Sequence, residues 1–112
     1  MKRKVMKMRT LKFNTVGQTL RKNPDCDFSD LVSGTEGYLN AEFDFSSEWF
    51  GCKKAAVFTS TTGSNYPVPI VNNHCDIPKE VLTDYYFKVH VVGIKDDYKL
   101  VTNDIRVNQK RR

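Results

Sequence analysis

The sequence is poor in the features that mark membrane-spanning and secreted proteins. No apolar run approaches the roughly 20 residues that a helix needs to cross a bilayer, and no signal-peptide segment follows the basic N-terminus. The three cysteines, Cys26, Cys52 and Cys75, are odd in number and widely spaced, which disfavours a disulfide framework. We therefore expect a protein of the cytoplasm, neither exported by a signal peptide nor held in a membrane.

The sequence also has few groupings of residues that could carry chemistry. It contains no phosphate-binding loop, dinucleotide-binding glycine pattern or nucleophile elbow, and no close cysteine pair of the kind that binds zinc. His74 and His90 belong to different expected strands, and the carboxylates are scattered. These absences predict a protein that is not an enzyme and has no catalytic residues, cofactor or metal.

The sequence does contain the alternation of apolar and polar residues that is typical of a β protein. Its 112 residues, 39% hydrophobic and 12% aromatic, suit one globular domain. From Tyr38 to Phe45, apolar residues alternate with polar ones, which is the period of two that a half-buried antiparallel strand requires. About seven short strands separated by turn signals, with at most one short helical turn, predict an all-β antiparallel sandwich. A barrel is the less favoured alternative.

The alternation and the turn signals also predict where the domain and its strands begin and end. A polar stretch, residues 17–37, holds at most a short strand at Leu31 and Val32. The domain is expected over residues 9–108, between a basic N-terminal tail (1–8) and a basic C-terminal tail (109–112). The expected strands are Met8–Val16, Tyr38–Phe45, Lys54–Thr59, Tyr66–Val71, His74–Ile77, Tyr86–Ile94 and Lys99–Val107.

The core is expected to come from large apolar side chains of these strands. The segment around Trp49 is the most distinctive, because Ser46 or Ser47 is suited to capping a single helical turn and Gly51 to ending it. We expect Trp49 to cover one end of the sandwich rather than to stack on a ligand. The other expected core residues are Phe43, Phe45, Val57, Phe87, Val89 and Val91.

One expected strand carries two prolines. Pro67 and Pro69 lack the N–H group that a sheet ladder needs, so this strand is predicted to lie at a sheet edge. An edge offers backbone groups to a partner. Tyr66, Val68 and Ile70 are therefore candidate partner-binding residues.

Charge is segregated along the chain. The formal net charge is +5, but residues 13–105 hold eight bases and all 13 acids, so the body is acidic and the two ends are basic. Basic ends could hold nucleic acid through its phosphates. We favour instead that they remain solvated or pair with the acidic body of a neighbouring copy, because the aromatic residues that nucleic-acid readers use lie in the acidic middle. The candidate partner-binding bases are Lys2, Arg3, Lys4, Lys7, Arg111 and Arg112.

The order of motifs is similar to that of a known group of proteins. It runs from "LKFNTVGQTL" through "GYLNAEFDFSSEWFGCKKAAVF", "YPVPIVNNHCDIPKEVL" and "YYFKVHVVG" to "LVTNDIRVNQ". This order resembles phage and prophage proteins of Gram-positive bacteria and covers the chain from about Met8 to Gln109. The most specific elements are Phe43, Phe45, Glu48, Trp49, Gly51, Ile77, Pro78, Glu80 and Val81.

The resemblance implies an immunoglobulin-like sandwich at or near the N-terminus of baseplate, tail-fibre or other tail-associated proteins. It leads us to expect a virion structural or adaptor protein, made in the host cytoplasm and bound to other phage proteins or to copies of itself as an oligomer. This chain ends at Arg112 without the following segment such proteins carry. The alternative is a small phage inhibitor that occludes a host defence protein, and nucleic-acid binding is a third, less favoured reading.

Overall fold

A computed structural model describes residues 8–111, and these form two β-sheets packed face to face. This confirms the predicted all-β sandwich; the immunoglobulin-like topology stays a prediction. The strands of the described chain are β1 (Arg9–Val16), β2 (Thr19–Lys22), β3 (Leu39–Phe45), β4 (Lys53–Thr59), β5 (Asn65–Pro69), β6 (His74–Asp76), β7 (Tyr86–Lys95), β8 (Tyr98–Val101) and β9 (Ile105–Asn108).

One sheet has four strands and the other has five. The four-stranded sheet has the order β2-β1-β3-β6. The five-stranded sheet has the order β5-β4-β7, and β7 is long enough to pair with β9 along its first half and β8 along its second. Strand β5 lies at the edge, as its prolines predict.

The strand and turn counts exceed the prediction. Strand β2 lies in the stretch expected to be polar loop, where Val32 makes only a single bridge to Lys110. The strand expected over residues 99–107 divides into β8 and β9. At the break, Thr102 stays bonded to β7, where its hydroxyl accepts from the Val91 amide, whereas the Asn103 side chain bonds to the Leu20 backbone of β2. Two short 3-10 turns, Ser47–Trp49 and Lys79–Val81, occur where at most one was expected.

One pair of strands departs from the antiparallel arrangement. β1 and β3 run parallel, with Arg9 opposite Leu39 and Thr15 opposite Phe45. Parallel neighbours need a connection that returns the chain to the end from which it started. The hairpin strand β2 and the loop after it make that return, so β3 begins beside the beginning of β1.

The predicted core is confirmed for Phe43, Phe87, Val89 and Val91, which are at most 1% exposed. The Phe43 ring stacks on Phe13 of β1 with 5.3 Å between centroids. Such aromatic contacts between neighbouring strands add to the free energy gained from burial.

The core prediction is wrong for Val57. Ala56 and Phe58 on either side of it are fully buried, whereas Val57 is half-buried on the outer face of the sheet. The run from Ala55 to Phe58 is continuously apolar, so its pattern gives no alternation from which to choose the inner face. Phe45, also expected in the core, is half-buried against it.

Trp49 closes one end of the sandwich, as predicted. It is 0% exposed, and its indole N–H donates to the Gly17 carbonyl oxygen at 2.8 Å. Its six-membered ring lies against Gly93 in the middle of the opposite sheet, at a point where a Cβ atom would be only 2.7 Å away. Ser46 does not cap the 3-10 turn; its hydroxyl accepts from the Gly17 amide and donates to Glu48.

We predict that Trp49→Ala lowers the free energy of unfolding by about 3–5 kcal/mol, because it leaves a large cavity between the sheets. The control is Phe50→Ala, which removes a neighbouring aromatic ring that is 65% exposed and should cost less than about 0.5 kcal/mol. Urea unfolding of the two variants measures the difference. Equal losses would contradict the proposed closure by Trp49.

We also predict that Gly93→Ala costs about 1–3 kcal/mol, because the added methyl group overlaps the Trp49 ring. The cost should shrink in a Trp49→Leu background, where the ring is gone. A double-mutant cycle of unfolding free energies tests this, since only residues in contact show coupling. Additive costs would show that the ring does not set the requirement for glycine.

Candidate protein-binding surface

Most of the predicted basic binding residues fall outside the described chain. Lys2, Arg3, Lys4, Lys7 and Arg112 lie outside residues 8–111. The Arg111 guanidinium lies over the Tyr85 ring, 4.9 Å from its centroid, and 3.7 Å from the Asp84 carboxylate. Its contacts are therefore with its own domain.

The two ends of the described chain meet at one loop. Arg9 donates to the carbonyl oxygens of Asp27 and Ser29 at 2.9 and 2.7 Å. Lys110 lies 2.6 Å from the Asp30 carboxylate, and this ion pair lowers the pKa of Asp30 and raises that of Lys110. Bases near both ends thus contact segment 27–30 of their own domain, Arg9 through backbone oxygens and Lys110 through a carboxylate. Pairing of the basic ends with a neighbouring copy stays a prediction.

The edge strand β5 turns its predicted binding residues inward. Tyr66, Val68 and Ile70 are half-buried and pack against the core. Their side chains are therefore not free for a partner, and the prediction that they form a binding site is not supported. Pro67 and Pro69 take the outward positions, since side chains alternate along a strand.

The edge of β5 is also a poor template for an added strand. The Ile70 amide donates to the Lys54 carbonyl oxygen, so this amide points toward β4. Alternation then directs the backbone groups of residues 67 and 69 to the free edge, where both residues are prolines without an N–H group. Prolines at such positions block strand addition, so the faces of the sandwich are better candidates than this edge.

The outer face of the five-stranded sheet is apolar at its centre. Strand register places Pro69, Ala55, Val92 and Val101 in one row across β5, β4, β7 and β8. The neighbouring row on one side contains Pro67, Val57 and His90, and the row on the other contains Ile94. We call the seven apolar residues of these rows the outer apolar face: Ala55, Val57, Pro67, Pro69, Val92, Ile94 and Val101.

A groove runs across this face. It has a volume of about 320 Å³ and is lined by Ala55, Pro67, Pro69, Val92 and Ile94 together with Lys53 and Lys54. Ile94 is 54% exposed and Val101 39% exposed. An open antiparallel sheet normally turns polar residues to water on its outer side, so this apolar centre departs from that pattern and is a candidate contact surface.

Basic residues border the outer apolar face. Lys53 and Lys99 flank Ile94 in one row, and Lys88 and Arg106 are paired in a row at the far side. The Arg106 guanidinium lies 3.8 Å from the centre of the Tyr86 ring. None of the five described strands places a carboxylate on this face, and Asp104 in the turn before β9 is paired with His90 at 3.1 Å.

The titratable groups do not converge. His90 meets Asp104 on the five-stranded sheet, whereas His74 meets Glu42 at 3.2 Å on the four-stranded sheet. Burial, with the Asp76 carboxylate, raises the pKa of the Cys75 thiol to about 12, so it is not a nucleophile at neutral pH. Across residues 8–111, no three His, Cys, Asp or Glu side chains come together as metal ligands would.

No helix in the described part of the chain is long and apolar enough to span a membrane. Comparison of the chain with protein-family models, with curated proteins and with solved structures gave no match in any of the three.

Sequence reasoning missed the outer apolar face although a signal for it exists. The segments "KAAVF", "YPVPI" and "VVGI" carry apolar residues at odd and even positions alike. In a strand such a run supplies both faces with apolar side chains. Only the pairing of strands distant in sequence shows that the outer members lie side by side.

We predict that Cys75 makes the folded protein less stable in alkali. In the unfolded chain the thiol ionises near its usual pKa of 9.0, but in the folded protein only near 12. The stabilisation is therefore complete below pH 9 and is lost as the pH rises from 9 toward 12. Urea unfolding across this range should show a smaller alkaline loss for Cys75→Ala than for the wild type; identical slopes would contradict this.

Proposed function

We propose that the protein is a phage virion structural or adaptor protein of the tail, baseplate or fibre, acting through protein–protein contacts. The observation that carries the protein-binding part is the outer apolar face, an apolar groove in a basic border on a sheet that would otherwise turn polar groups to water. The virion setting is supported by the motif resemblance. The host cytoplasm would be the place of synthesis and the particle the place of action.

The scattered ionisable groups support binding rather than catalysis. General acid–base or nucleophilic chemistry needs donor, acceptor and nucleophile within hydrogen-bond reach of one another. Here the two histidine–carboxylate pairs belong to different sheets, and the Cys75 thiol stays protonated. Binding a partner through an apolar face does not require reactive groups to come together.

The same face would serve an inhibitor of a host protein, which is the second candidate. The two functions differ in the partner that the face holds and not in its chemistry. An adaptor is retained in particles and binds a phage protein, whereas an inhibitor leaves particles free of it and binds one host protein in fixed stoichiometry.

We predict that Ile94→Glu removes the protein from purified particles, because it places a carboxylate on the outer apolar face, beside its central row of Ala55 and Val92. Val16→Glu is the matched control: Val16 is 60% exposed on the four-stranded sheet, so an equal change there should leave incorporation intact. Quantitative mass spectrometry of particles, complemented with each variant, gives the readout. If this protein is absent from wild-type particles and binds only a host protein, the adaptor proposal is overturned in favour of inhibition.

A further inference from the structure

We infer that the partner of the outer apolar face is a protein segment in which apolar side chains are flanked at both ends by Asp or Glu. This inference rests on the proposed protein-binding function and adds the chemistry of the partner. It follows from the order of rows across the face, which the register of β4, β5, β7, β8 and β9 fixes.

The rows alternate in character from one side to the other. The first row is Lys53, Ile94 and Lys99, and the last holds Thr59, Lys88 and Arg106. The two rows between them hold the apolar centre, and one of these rows ends at His90, which is paired with Asp104. Lys53 and Thr59 are six residues apart on β4, so the two basic rows are about 20 Å apart at about 3.3 Å per residue. A partner segment crossing the rows meets positive charge, then apolar surface, then positive charge.

A second copy of this chain does not fit that order. Two outer apolar faces in a symmetric contact would each present the same basic rows, and like charges across an interface oppose binding. The four-stranded sheet carries acids on its outer side, among them Glu42 and Asp76, but Asn40 lies between them in strand pairing and Glu42 already meets His74. It offers carboxylates without an apolar centre.

Nucleic acid fits less well than an acidic protein segment. Single strands bind by stacking bases on exposed aromatic rings beside basic residues. The one aromatic residue that the described strands place on this face is Tyr86, and its ring is already covered by Arg106. The remaining contact surface of the groove is aliphatic.

The test uses two seven-residue probe peptides displayed in many copies on beads, so that weak contacts are measurable. In the sequence ESVSVSE, one face of the extended chain carries Glu, Val, Val and Glu, with the end residues about 20 Å apart. The sequence KSVSVSK differs only in charge. We expect about tenfold stronger retention of the protein on ESVSVSE than on KSVSVSK. This ratio corresponds to the summed free energies of several exposed charge pairs at the border of the face.

Charge reversal locates the effect. The pair Lys53→Glu and Lys99→Glu should abolish the preference for ESVSVSE, because one end row becomes acidic while Lys88 and Arg106 keep the other basic. The pair Lys12→Glu and Arg21→Glu makes the same change in net charge on the four-stranded sheet and should leave the preference unaltered. Both variants are first checked for a melting temperature equal to that of the wild type. Equal retention of the wild-type protein on the two peptides would overturn the inference. So would an equal effect of the two double variants, or a preference of the wild type for immobilised oligothymidylate over ESVSVSE.

Failure of this inference can be told apart from failure of the proposed function. If the peptides show no charge preference but Ile94→Glu still prevents incorporation into particles, the face binds a protein of other chemistry. If the peptides show no charge preference and Ile94→Glu does not prevent incorporation, the face is not a binding surface. Both the inference and the proposed function are then wrong.

Discussion

The contact between Trp49 and Gly93 is the constraint on which the arrangement of the two sheets depends. The indole fills the end of the sandwich and bonds to the turn between β1 and β2 through Gly17. It also reaches β7 near its C-terminal end, at Gly93, where no side chain stands in its way. Three segments far apart in sequence are thereby held in one relative position. Because interiors are close-packed, the side chains around this contact must fit that position.

The two outer sides of the sandwich differ in polarity. The four-stranded sheet turns polar and charged groups to water, whereas the five-stranded sheet turns out the apolar row centred on Ala55 and Val92. Its free edge at β5 is closed to strand addition by Pro67 and Pro69. The sheet edge at β5 is thus protected from strand addition, while the outer apolar face stays exposed.

Much of the fold could be predicted from local pattern. The alternation from Tyr38 to Phe45 predicted β3 and its buried side, and the spacing of Pro67 and Pro69 predicted the edge strand. Strand β2 was missed because its single buried residue, Leu20, is held by a distant one: the Asn103 side chain accepts from the Leu20 amide and donates to its carbonyl. No local pattern contains such a bond.

The sequence by itself determined the all-β class, the core tryptophan, and the basic ends, because these depend on side-chain period and composition along one segment. Tertiary structure decided which side of a continuously apolar strand faces water, and so moved Val57 from the expected core to the outer side. It also decided the outer apolar face: β4, β5, β7 and β8 each contribute one or two apolar residues, and only hydrogen-bonded register brings Pro69, Ala55, Val92 and Val101 into one row.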